Sequence, residues 1–247
     1  IMNLHFPREG HAEKYLNRET RSHRRIIFEE FFLLEMLLAS RKQGVQHAKA
    51  TQMKIDPQVE SRFLEKLPFD LTSAQKKVLQ EIYKDLQHSQ PMQRMVQGDV
   101  GSGKTVVALA AAAQVIANGA QVAFMAPTEI LAQQHYKNAK KYLDPLGIRT
   151  EFLSGQLKSA ERKTALPLLK SGEAQLVIGT HALIQEGVDF KNLSMVIVDE
   201  QHRFGVEQRG LLKSKGVAPH FLLMTATPIP RSLAMTIYGD LDTSIIN

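Results

Sequence analysis

The sequence predicts an α/β fold in which a mostly parallel sheet lies between helices and is preceded by a helical arm. Three observations carry this: short apolar runs recur along the chain, helical patterns separate most of them, and a glycine-rich loop joins the first run to the first such helix. The runs are RMVQ (94–97), QVAFMAP (121–127), TEFLS (150–154), AQLVIGT (174–180), SMVIVDE (194–200) and HFLLMTAT (220–227), all read as buried strands. Thr105 to Asn118 and Glu129 to Tyr142 have helical patterns. Strands alternating with helices imply crossover units and a sheet covered on both faces.

The texture before residue 67 is different. Residues 11 to 25 are highly charged and lead into the apolar stretch Ile26 to Ala39. There Ile27, Phe31, Leu34 and Leu38 recur at helical spacing, while Glu29, Glu30 and Glu35 keep one face wet. These four apolar residues are expected to dock on the domain that follows, and Pro57 is expected to end or redirect the helical pattern. Residues 1–66 thus read as an arm or linker and 67–247 as the main domain. Arg21, Arg24 and Arg25 fit a solvated helix face better than a DNA contact.

Composition excludes several classes. With 43% hydrophobic and 23% charged residues the chain can bury a core, so general disorder is excluded. No apolar run reaches the roughly eighteen residues of a membrane span. Cysteine is absent, which removes disulfides and thiolate metal sites. The net charge of +6 is compatible with a polyanionic partner. The first residue, Ile1, suggests a fragment or a processed chain.

The chemistry concentrates in two places. GDVGSGKT (98–105) matches G-x-x-x-x-G-K-[ST] between a strand and a helix. In such a loop, Gly98, Gly101, Ser102 and Gly103 let backbone N–H groups cradle phosphate at the positive end of a helix dipole. Lys104 can reach the β- and γ-phosphates, and the Thr105 hydroxyl can ligate Mg²⁺. The loop is expected to hold a nucleoside triphosphate. The second place is MVIVDEQH (195–202), where two carboxylates end a buried strand. Asp199 can hold Mg²⁺ through water, and Glu200 can orient and deprotonate the attacking water. His135, His181 and His202 lie on separate elements without ligand spacing, which argues against a zinc site.

DEQH followed by TATP (225–228) resembles the DExH and threonine–alanine–threonine motifs of superfamily 2 helicases and translocases. LTSAQ (71–75) resembles the Q motif, APTEILAQQ (126–134) motif Ia and GTHAL (179–183) motif Ib. The strings DEQHRFGVEQR and MTATPIPR narrow the resemblance to the RecG branch and the related transcription–repair coupling translocase. RRIIFEEFFLLEMLL and LPFDLTSAQ favour RecG. The resemblance covers essentially the whole chain.

It implies a RecA-like P-loop domain that drives translocation on branched double-stranded DNA, such as stalled forks and Holliday junctions, using ATP and Mg²⁺. Gln75 is then placed on the adenine edge, and Pro127, Thr128, Ser154, Gly155, Thr180 and His181 near a phosphate track. Without the resemblance these track positions read as strand-end turns. His202 is implied as a coupling residue, with a satisfied core histidine as the alternative. Thr225 and Thr227 are implied to bridge the nucleotide and DNA sites, with strand-end capping as theirs. Arg203 and Phe204 fit either a loop with one anchoring aromatic or a sensor of DNA or the neighbouring domain. The resemblance further implies a wedge domain upstream, a second RecA-like domain with the arginine finger downstream, and a place in the bacterial cytoplasm at the nucleoid. As a separate piece, the chain could instead act as a nucleotide- or DNA-binding module without turnover.

Overall fold

The computed structural model describes residues 12–46, 49–157, 159–199, 212, 214–227 and 241–247. The chain divides into two units, Ile1–Gly44 with Pro230–Asp240, and Val45–Ile229 with Leu241–Asn247. In the first, α1 (Ala12–Leu16) precedes the long helix α2 (Arg21–Gln46). The helical spacing in this stretch is therefore realised. Ile27 and Phe31 are 45% and 57% exposed. The side chains of Leu34 and Leu38 lie outside the described residues.

The second unit holds α3 (Pro57–Leu64), α4 (Ser73–Leu86), β1 (Gln93–Gly98), α5 (Lys104–Ala117), β2 (Gln121–Met125), α6 (Glu129–Leu143), β3 (Thr150–Leu153), α7 (Ser159–Ser171), β4 (Leu176–Gly179), β5 (Leu193–Asp199), β6 (His220–Thr225) and β7 (Asp242–Ile246). The sheet order is β3-β4-β2-β5-β6-β1-β7, and every pairing among the described strands is parallel. The expected mostly parallel sheet is parallel throughout. Strands β2, β4, β5 and β6 are buried at every position, matching their continuous apolar sequence.

Pro57 begins a helix rather than ending one. It is the first residue of α3, where a missing N–H is harmless, and the Asp56 side chain caps the turn by accepting from Gln58 N at 2.8 Å. Val59 and Phe63 of α3, with Met53 before it, are buried in the same core as α5. The packed core thus reaches back well before residue 66, into the segment expected to belong to the arm.

Helix α5 explains how that segment is held. Its run of alanines is buried from Val106 to Ile116, and small side chains let α3, α4 and the sheet approach together. Two polar residues stand one turn apart, Gln114 within the run and Asn118 at the helix C-cap. Gln114 donates to Asp56 O and accepts from Asp56 N, both at 2.9 Å. Asn118 makes the same pair of bonds to the backbone of Lys54, also at 2.9 Å. Four helical residues rise about 6 Å and two extended ones about 6.6 Å, so the two amides match alternate residues of an extended strap. Gln114→Leu leaves the Asp56 N–H without its acceptor, while Asp56 O keeps Val59 N, and is expected to lower stability by about 1–3 kcal/mol in a urea titration.

His220 ties the strap at its other end. Its Nδ1 accepts from Met92 N at 3.0 Å, so Nε2 carries the proton and donates to Thr51 O at 3.1 Å. Burial pushes its pKa below the ordinary 6.5, more strongly than the Thr51 carbonyl and the Asp85 charge raise it. Below pH 6.5 the unfolded chain takes up a proton that the folded chain resists. Stability is therefore full above that pH and falls as pH drops through the lowered folded value. Urea midpoints measured from pH 7.5 to 5 should decline more steeply in the parent than in His220→Asn.

The edge strand β7 was not anticipated from the sequence. It is anchored by Arg94, whose Nε donates to Asp85 Oδ2 at 2.6 Å and whose Nη1 donates to Ser244 Oγ at 2.8 Å. The Ser244 hydroxyl in turn donates to Glu81 of α4.

Candidate functional site

In a parallel sheet all carboxyl ends emerge at one edge, the usual seat of a ligand in open α/β folds. The register brings Gln97 beside Thr225 and Met224 beside Asp199. The Asp199 strand therefore lies two strands from β1, about 10 Å away at roughly 4.8 Å per strand. Thus Gly98, Thr225 and Asp199 share one edge, with β6 between the other two strands.

The loop leaving β1 turns through Asp99, whose carbonyl accepts from Ser102 N at 3.1 Å. Gly101 and Gly103 have φ of +83° and +85°, the left-handed region that side chains disfavour. A Cβ on Gly103 would also collide with the Gln75 amide, and one on Gly98 would sit 2.5 Å from Ser102 Oγ and 2.9 Å from Ile246 O. The glycines thus permit both the turn and its close packing. Lys104 starts α5, and its Nζ donates back to Gly98 O at 2.7 Å and Asp99 O at 2.8 Å. Thr105 follows in the first helical turn, half-buried. The Ser102 hydroxyl is buried without a hydrogen-bond partner.

Gln75 packs against the loop. Thr72 and Gln75 form a capping box at the start of α4. The Gln75 Oε1 accepts from Thr72 N, and Nε2 donates to Ser102 O, both at 2.8 Å. Its amide thus joins the start of α4 to the phosphate loop.

Asp199 is buried at the end of β5, and its Oδ2 lies 2.8 Å from His135 Nε2. His135 carried no role in the sequence reading. Only its place on the buried stripe Ala132, His135 and Ala139 of α6 hints at an inward position. Its link to Asp199 spans 64 residues and has no signature in spacing. Glu200, His202, Arg203 and Phe204 lie outside the described residues.

Thr225 and Thr227 form a local turn, with their hydroxyls 2.8 Å apart and Thr227 N donating to Thr225 Oγ1 at 3.2 Å. This is the geometry of strand-end capping. The expected track residues share the same sheet edge, on the neighbouring strands β2, β3 and β4. Pro127 and Thr128 are half-buried, and Thr128 caps α6 by accepting from Leu131 N at 3.3 Å. Ser154 is buried and donates to Glu129 Oε1 at 2.7 Å, and Thr180 is also buried. Gly155 and His181 beside them are exposed. Ser154 and Thr180 are thus enclosed at that edge.

The sequence model of the DEAD/DEAH box helicase family matches residues 72–236. The ATP-dependent DNA helicase RecG of Aquifex aeolicus is 47% identical over the whole chain, which covers 31% of that relative. RecG of Pasteurella multocida is 49% identical, again over the whole chain and 36% of the relative. The chain thus spans about a third of the length of these relatives. A solved structure of RecG bound to a three-way DNA junction matches with a TM-score of 0.82 and 41% identity, over 96% of this chain and 31% of that one. These matches do not favour the coupling translocase. No helix among the described residues is long and apolar enough to cross a membrane. The loop that ends at Lys104, the strand that ends at Asp199 and the family match agree: the chain belongs to the DEAD/DEAH box helicases, and it is similar to RecG over its whole length.

Proposed function

We propose that this chain is the ATP-binding motor domain of a helicase that couples ATP hydrolysis to movement on branched double-stranded DNA, such as stalled forks and Holliday junctions, in recombination and repair. The observation that carries the proposal is the phosphate loop: after the left-handed Gly101 and Gly103, Lys104 folds back over the loop's carbonyls, two strands from Asp199. The residues fit a triphosphate. Lys104 can exchange two neutral carbonyls for phosphate oxygens, and the unpartnered Ser102 hydroxyl and the start of α5 supply further donors. Thr105 and Asp199 form the oxygen-rich set that suits Mg²⁺. When bound, Mg²⁺ neutralises charge on the phosphates during transfer.

The chain's own groups divide the remaining work. Lys104 holds and polarises the terminal phosphates, Asp199 orients the metal's water, and Glu200 takes the proton of the attacking water. His202 and the Thr225–Thr227 turn couple this site to the track. On the track, exposed Gly155 and His181, with the backbone at Pro127 and Thr128, suit sequence-independent phosphate contacts. Gln75 braces the phosphate loop, and its second N–H and second lone pair are left for the adenine edge. A wedge domain and a second RecA-like domain of the same protein complete the motor, which works in the bacterial cytoplasm at the nucleoid.

Steady-state ATPase rates of the full-length protein test this reading, with a three-way junction compared to linear duplex of equal length. Stimulation by the junction is expected, and equal rates without DNA and with either DNA would overturn it. The 247-residue chain, lacking a trans-acting arginine worth about 10³–10⁵ in rate, should bind Mg-nucleotide yet scarcely turn over. A rate equal to that of the full-length protein would contradict the two-domain mechanism.

A further inference from the structure

The helix that follows β2 carries a side chain that the reading above leaves without a task. His135 lies one turn beyond Leu131 on the buried face of α6, enclosed with Asp199, their side chains only 8% and 11% exposed. Its ring packs on Phe124 of β2, with centroids 4.6 Å apart and planes tilted by 42°. Nε2 meets Asp199 Oδ2 at 2.8 Å, and Nδ1 is buried without a hydrogen-bond partner. The ring orientation is therefore set by Phe124 on its face and by Asp199 at its edge.

We propose that His135 is a positioning residue for the Mg-nucleotide site: by donating its Nε2 proton to Oδ2, it fixes the rotation of the Asp199 carboxylate and so directs the other oxygen at the metal's water. This rests on the reading of Asp199 as the metal carboxylate. The terminal torsion of an aspartate is broad, so an unanchored carboxylate samples orientations that do not serve a metal. A donor on one oxygen removes that freedom. Outer-shell partners of this type change metal affinity or activity by 10–100-fold when lost.

The two amide substitutions separate the possibilities in the full-length protein. His135→Gln keeps a donor at the reach of Nε2, whereas the shorter His135→Asn reaches only as far as Nδ1. Both stay polar and neutral. The measurement is binding of a fluorescent ATP analogue as a function of Mg²⁺ concentration, with a parallel titration in EDTA and a melting curve for each variant. His135→Asn is expected to raise the Mg²⁺ needed for half-maximal tightening by about 10–100-fold, and His135→Gln to stay within a few-fold of the parent. Binding in EDTA should be the same in all three.

An unchanged Mg²⁺ requirement in His135→Asn overturns the proposal. So does an equal loss in both variants, or a loss that appears in EDTA as well, because each marks a packing effect. Asp199→Asn serves as the control on the underlying reading. If it leaves the Mg²⁺ requirement untouched, Asp199 is not the metal carboxylate and both readings fall. If it raises the requirement while His135→Asn does not, only the role of His135 falls.

Discussion

Lys104→Ala is expected to weaken binding of a fluorescent ATP analogue by at least about 10-fold, from the loss of one or two charge-assisted hydrogen bonds worth roughly 1.5–3 kcal/mol each. In the free loop the ammonium is already satisfied by Gly98 O and Asp99 O. Binding thus exchanges two neutral acceptors for anionic ones, and the gain lies in the charge. The substitution also leaves those two carbonyls without the ammonium, but they sit at the sheet edge, so the fold should survive. Equal affinity in variant and parent, with both melting alike, would remove the phosphate-loop assignment and with it the motor.

Glu200→Gln in the full-length protein should act at a different step. The amide has the shape of the carboxylate but cannot accept a proton, so ATP should still bind while turnover falls by about 10²–10⁴-fold. The residue itself lies outside the described part of the chain, yet Asp199 immediately before it ends a buried strand at the nucleotide edge. Retained binding with lost turnover places the defect after the ground state. If DNA-stimulated hydrolysis survives the change, the general base is another group.

The parts of this fold that were legible in the sequence are those in which local pattern and burial coincide. Strands β2, β5 and β6 announce themselves because both faces are covered, and the phosphate loop because its glycines and lysine are adjacent in sequence. Other features depend on distant partners. β7 is a short strand with exposed positions, and Arg94 and its neighbour β1 recruit it from about 150 residues away. Gln114 and Asn118 look like polar blemishes in an alanine helix until the strap beside them is seen. Pro57 could stop a pattern or start one, and only the cap from Asp56 decides. The pairing of His135 with Asp199 is legible in neither residue, because it exists only once α6 is laid across the end of β5. Helical spacing in α2 told the conformation of Ile27 and Phe31 but not their surroundings.

The position of β1 carries a consequence for how the protein is made. Both of its neighbours, β6 and β7, come from the far end of the chain, more than a hundred residues after Gly98. At roughly 5–20 residues per second, a ribosome needs on the order of ten seconds to supply them. Until then the strand bearing the phosphate loop has no lateral partner, although the intervening β2, β3, β4 and β5 can already assemble among themselves. A nascent chain is therefore unable to complete the loop's supporting sheet until β6 and β7 arrive. Competence for nucleotide waits for them, and a ribosome stalled before residue 220 holds a half-sheet with an open edge on β5, the kind of edge a chaperone must guard.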